Sequence, residues 1–126
     1  MAATIQHQLE PSTKILTITV PGDVLSTNAE TLRDQMLPLI QTEENAQNWE
    51  TLRLDLNQAK MIDSVGLNLL VRICRVAKEK NRKVQAAISS ANIYRTFIFT
   101  RLNLLLEIDL PEALRKSATS LGSDTH

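Results

Sequence analysis

The stretch Leu52–Lys80, LRLDLNQAKMIDSVGLNLLVRICRVAKEK, decides the fold. Leu52, Leu54 and Leu56 alternate with Arg53 and Asp55, a period of two that predicts a strand with one face on a core. From Ser64 onward the apolar residues recur at helical period. Between strand and helix sits Met61-Ile62-Asp63-Ser64-Val65-Gly66, a short apolar loop leading into a helix start that carries a hydroxyl. On a helical wheel advancing about 100° per residue, Ser64, Asn68, Arg72, Arg75 and Glu79 fall within an arc of roughly 80°. The remainder is almost wholly apolar. A surface helix needs an apolar stripe little more than about 100° wide, so surplus apolar surface is left on the flank of Val65, Leu69 and Val76. Ser64 stands at the N-terminal tip of the polar stripe.

Outward from this unit the chain reads as strands and helices in alternation. Thr4–Glu10 and Ile15–Val20 are predicted as strands of a hairpin, turning at Pro11–Lys14. Pro21–Leu25 breaks the pattern. Thr27-Asn28-Ala29-Glu30 fits a capping box, opening a helix with Ala29, Leu32, Met36, Leu39 and Ile40 on one face, which Pro38 should kink or interrupt. Glu43–Glu50 reads as a polar loop. After the central unit come a turn at Asn81-Arg82, a strand over Lys83–Ile88 and a helix from Ala91 to about Leu102, capped by Ser89 or Ser90. A short apolar strand follows over Leu104–Ile108. Asp109-Leu110-Pro111-Glu112 fits another capping box, opening a short last helix through about Ala118, and Ser117–His126 should fray. The pattern β-β-α-β-α-β-α-β-α predicts an α/β fold with a mixed sheet and helices packed on it, in one domain over residues 1–118 with a tail over 119–126.

Composition narrows the function. With 126 residues the chain can bury a stable core. A formal net charge of zero provides no global field for nucleic acid or an acidic membrane. Aromatics are confined to Trp49, Tyr94, Phe97 and Phe99, too few for base stacking. The lone Cys74 falls on the apolar arc and reads as a core residue. One cysteine excludes an internal disulfide framework, which fits a cytoplasmic location. No signal peptide and no run of the ~20 apolar residues needed to span a membrane is visible.

The residues at the helix start leave choices open. Ser64 could cap the helix, but Asp63 could do so alone, and Leu67 stands where a capping box needs Glu or Gln. Gly66 in a first helical turn costs up to about 1 kcal/mol against alanine. It implies either tight packing on the sheet, which the wheel favours, or close approach of another molecule. A serine hydrolase is not supported: Ile62 occupies the first glycine of G-x-S-x-G, and His7 and His126 are the only histidines. No cluster has metal-ligand spacing and no phosphate-binding glycine loop is present. No cofactor and no enzymatic activity are expected. A phosphoacceptor suits the site, since a phosphate adds about −1.5 to −2 charge at a helix N-terminus that accommodates it.

These residues resemble the STAS domain, the fold of bacterial anti-sigma factor antagonists and of the cytosolic tails of sulfate transporters. The likeness runs from about Ile5 to Ala118. It is most specific at Leu54-Asp55-Leu56-Asn57 and Ile62-Asp63-Ser64-Val65-Gly66-Leu67, similar to the family's "LDLS…IDSSGL", and at Gly22-Asp23-Val24. The resemblance implies that Ser64 is phosphorylated by a partner anti-sigma factor serine kinase. It further implies that the unphosphorylated protein binds that kinase and frees the sigma factor, and that a serine phosphatase resets the switch. Asp23, Asp63, Val65, Gly66, Asn68, Leu69 and Arg72 are then the partner-binding residues, with Arg72 and Arg75 either rim contacts or solvated stripe. The alternative is a STAS subunit of a transport complex or another signalling pathway with Ser64 unmodified. Departures from the family pattern are Leu25 for an acidic residue, Val65 for a small polar one, and Arg101 where many relatives carry glycine. Arg101 is strained if it takes positive φ, a role Asn103 could take instead.

Overall fold

The structure is a computed structural model and describes residues 4–41 and 49–115. Its sheet is built from β1 (Gln6–Glu10), β2 (Ile15–Thr19), β3 (Thr51–Leu56), β4 (Lys83–Ile88) and β5 (Glu107–Asp109), in that order across the sheet. β1 runs antiparallel to β2, and the remaining pairs are parallel. The crossovers are α1 (Ala29–Gln41), α2 (Ser64–Glu79) and α3 (Ala91–Phe99). All three connect neighbouring parallel strands in the same direction, so right-handed connections set the helices on one face of the sheet. The mixed α/β architecture expected from the alternation is present.

β3 shows why the sheet holds. Leu52, Leu54 and Leu56 are fully buried under the helices, while Thr51, Arg53 and Asp55 face the other way and are half-buried. The register β2–β3–β4 aligns Ile18, Leu54 and Ala86 in one row of the core. α2 contributes Leu69, Leu70, Ile73, Cys74 and Ala77 to the same cluster, and α3 contributes Ile93 and Phe97. The thiol of Cys74 is pushed up to about 12 by burial, as suits a core residue rather than a nucleophile. On the opposite face Arg53 reaches Asp109 at 2.7 Å, and Asp109 also pairs with Arg115 at 2.8 Å.

Several expectations need correction. α1 runs through Pro38 without interruption, because Met36, Leu37 and Ile40 are buried on either side of it. Tertiary packing outweighs the local penalty there. The expected capping box does not open α1. Asn28 precedes its first residue, and the Asn28 side chain turns back, accepting from the Leu25 amide and donating to the Asp23 carbonyl. α3 ends at Phe99, short of Leu102. The expected strand over Leu104–Ile108 is a 3₁₀ turn over Leu102–Leu104 followed by β5 at Glu107. A consecutive run of leucines has no period to distinguish strand from turn. Here Leu102 and Leu106 are buried while Leu104 points outward. Residues 112–115 are helical. The remainder of the expected last helix, most of the loop after α1 and the tail lie outside the described residues.

Candidate docking site at the start of α2

Two loops meet at the carboxyl ends of β2 and β3. The loop after β2 leads through Val24 to α1, and the loop after β3 leads through Met61 and Asp63 to α2. Because β2 and β3 are neighbours, these loops are forced side by side. A parallel bridge joins Val24 to Ile62, with the Val24 amide donating to the Met61 carbonyl and the Asp63 amide to the Val24 carbonyl, both at 3.2 Å.

Carboxylates lock this junction. Asp23 Oδ1 accepts from the backbone amides of Lys60 at 2.7 Å and Met61 at 3.1 Å. Asp63 is the N-cap of α2: one carboxylate oxygen accepts from the Gly66 amide at 2.8 Å, and the other reaches across to the Ser26 amide at 2.7 Å. Those amides, Gly66 first and then Ser26, hold the Asp63 carboxyl below the usual carboxylate range. The choice left open by the sequence is therefore resolved in favour of Asp63. Ser64 is the first residue of α2, exposed.

Gly66 has a similarly definite reason. A Cβ at this position would lie 2.0 Å from the Val24 carbonyl oxygen and 2.7 Å from its carbon. The glycine exists because the neighbouring loop crosses directly over the helix, so the close packing is against the loop after β2 and not against the sheet as expected. Gly66 is buried there and offers no surface of its own. Asp23 likewise shapes the site from behind, through the loop it pins.

The outer surface is a groove between the first turns of α1 and α2, about 340 Å³ in volume, lined by Ser26, Ala29, Glu30, Arg33, Val65, Asn68, Leu69 and Arg72. Of the residues expected from the sequence, Val65, Asn68, Leu69 and Arg72 are brought together here, next to Ser64. Leu69 is nearly buried and forms the floor; Val65 is 47% exposed, and Met61 in the preceding loop 54%. The α1 side, Ser26, Ala29, Glu30 and Arg33, was not anticipated. Only the pairing of β2 with β3, which sets both helix starts together, reveals it. Among the described residues no group of three or more His, Cys, Asp or Glu could hold a metal ion, and no helix is long and apolar enough to cross a membrane.

With this geometry in place, comparison with known proteins is informative. The family model of the STAS domain matches residues 6–117. No curated protein matches the chain significantly in sequence. Among solved structures, a candidate anti-sigma factor antagonist from Thermotoga maritima is similar at TM-score 0.68 and 14% identity, over 89% of this chain and 92% of that one. An anti-sigma factor antagonist from Mycobacterium paratuberculosis is similar at TM-score 0.67 and 16% identity, over 91% and 93%. The Bacillus cell fate determinant SpoIIAA in its phosphorylated form is similar at TM-score 0.61 and 15% identity, over 91% and 99%. At these identities the likeness establishes the shared fold.

Proposed function

Because the chain belongs to the STAS domain family, we propose that it is an anti-sigma factor antagonist that works by phosphorylation-controlled partner switching. Unphosphorylated, it binds an anti-sigma factor serine kinase through the groove between α1 and α2; phosphorylation of Ser64 releases that partner, and a serine phosphatase restores binding. The observation that carries this reading is the division of labour at the start of α2. Asp63 takes the capping role, so the exposed Ser64 hydroxyl is not tied up in holding the helix. Modification there leaves the fold standing, since the helix N-terminus favours added negative charge.

The same phosphate is poorly tolerated by a docked partner. Met61 and Val65 provide an apolar rim beside Ser64, and an unpaired charge buried at such an interface costs about 2–5 kcal/mol, tens- to thousands-fold in affinity. Asp63 adds negative charge nearby, whereas Glu30 is paired with Arg33 at 3.6 Å. In this reading Val65, Asn68, Leu69 and Arg72 are contact residues, joined by Ser26, Glu30 and Arg33. Asp23, Asp63 and Gly66 position them. The description of one structural neighbour in a phosphorylated form supports the reading.

The test is affinity capture from the protein's own cells with Ser64→Ala and Ser64→Asp variants. The proposal expects Ser64→Ala to retain a serine kinase of the anti-sigma type and Ser64→Asp to lose it. Equal capture by both would count against a charge switch and favour a subunit that docks by shape, with Ser64 unmodified.

A further inference from the structure

Among the described residues five large apolar side chains are exposed: Met61, Val65, Ile98, Phe99 and Leu104. The first two flank Ser64. The other three lie elsewhere and have no part in the proposed switch. α3 begins where β4 ends and returns to the start of β5. Its C-terminus is therefore at the opposite end of the sheet from Ser64. There Phe99 is 85% exposed and Leu104 71%, so both rings and branches stand clear of the surface rather than lining a depression.

The backbone holds this tip in place. The Arg101 amide donates to the Ile98 carbonyl, and the Arg101 carbonyl accepts from the Leu104 amide, each at 3.1 Å. Buried Leu102 and Phe97 anchor it from below. Arg101 itself has φ 60° and ψ 25°, a left-handed conformation at a helix end where glycine or asparagine is usual. A strained arginine beside exposed Phe99 and Leu104 is a reason to look for a role for its side chain. Charge points the same way. From Ser89 to Leu106 the chain carries Arg95 and Arg101 and no acidic residue. The first acid beyond this segment is Glu107, exposed at the start of β5.

We propose that the Ile98–Leu104 tip docks on an anionic lipid surface, with Phe99 and Leu104 entering the interface and Arg101, supported by Arg95, facing the headgroups. A stable protein interface needs about 800 Å² from each partner, more than a protruding turn provides. A bilayer requires only a few apolar anchors with flanking basic residues. The contact is peripheral and independent of the Ser64 reading, because it uses the other end of the molecule.

The test is co-sedimentation of the full chain with vesicles of phosphatidylcholine alone or mixed with phosphatidylglycerol, at low and at physiological salt. Binding is expected to the mixed vesicles only, and to weaken with salt. Phe99→Ser and Leu104→Ser should each lower it severalfold, and Arg101→Glu by roughly tenfold or more. Circular dichroism melts check that the exposed-site variants remain folded. Arg101→Gly gives a second check: it relieves the left-handed strain, so the thermal midpoint should rise while vesicle binding falls. No sedimentation with mixed vesicles, or sedimentation untouched by these variants, overturns the proposal. So does a concentration-dependent dimer that Phe99→Ser abolishes while vesicles capture nothing, since the tip would then join two copies of this chain.

Discussion

The two ends of the sheet solve the same problem differently. At the Ser64 end, two loops are cross-braced by Asp23 and Asp63, and the exposed apolar residues Met61 and Val65 sit against carboxylates. At the Phe99 end, a single helix terminus turns through a left-handed arginine, and the exposed apolar residues stand on a segment whose charged residues are Arg95 and Arg101. Apolar exposure alone does not distinguish these surfaces. Their settings do: at Ser64 they border a groove that carries Glu30, Arg33 and Arg72, and at Phe99 they lie on a segment with two arginines and no acid before Glu107.

The largest expected effect falls on the braced end. Gly66→Ala puts a methyl group within 2.0 Å of the Val24 carbonyl oxygen, and neither backbone can yield without parting the loops. A loss of about 3 kcal/mol or more is expected in urea unfolding, together with loss of partner binding. If stability were unchanged, the close crossing of the two loops would be wrong. Asp23→Ala removes two bonds to backbone amides near the surface and should cost about 1 kcal/mol, with faster hydrogen exchange at Lys60 and Met61 as the local signature. Arg101→Gly marks the opposite end by its opposite sign: a gain of about 1 kcal/mol from releasing the left-handed conformation.

The braced end should also respond to acid. The Asp63 carboxyl is held below its ordinary 3.8 by the Gly66 and Ser26 amides, and that of Asp109 by Arg53 and then Arg115. Both groups are depressed in the folded state. Their stabilisation is therefore present above the ordinary carboxylate range and is lost as pH falls from about 4 through the folded-state values. Asp63→Asn should flatten this acid limb, whereas Arg101→Gly should shift the whole curve without changing its shape. The smallest effect concerns Cys74, whose buried thiol should stay unreactive toward alkylating reagents until the protein unfolds.

How much of this was legible in the sequence depended on periodicity. β3, β4 and the start of α2 follow from clear periods of two and 3.6, and Ser64 with Val65, Asn68, Leu69 and Arg72 could be placed on one helix face. What could not be read is what depends on neighbours distant in the chain. Asp23 enters the sequence reading only through the family resemblance, as a partner-binding residue, and its bracing of the neighbouring loop shows only when the Lys60 and Met61 amides are seen to converge on it. Gly66 leaves two explanations until Val24 is found above it. The α1 wall of the groove emerges only from strand pairing. The run Leu102–Leu106 misleads because its burial alternates about a turn, not along a strand.

The central claim is that Ser64 is a phosphoacceptor, and the most direct test is the intact mass of the protein isolated from its own cells across growth and stress conditions, with the modified residue located by fragmentation. The account predicts a single phosphate on Ser64, in a fraction that changes with conditions. An unmodified Ser64 under every condition would contradict it and leave the groove beside Ser64 as a surface that binds without a switch.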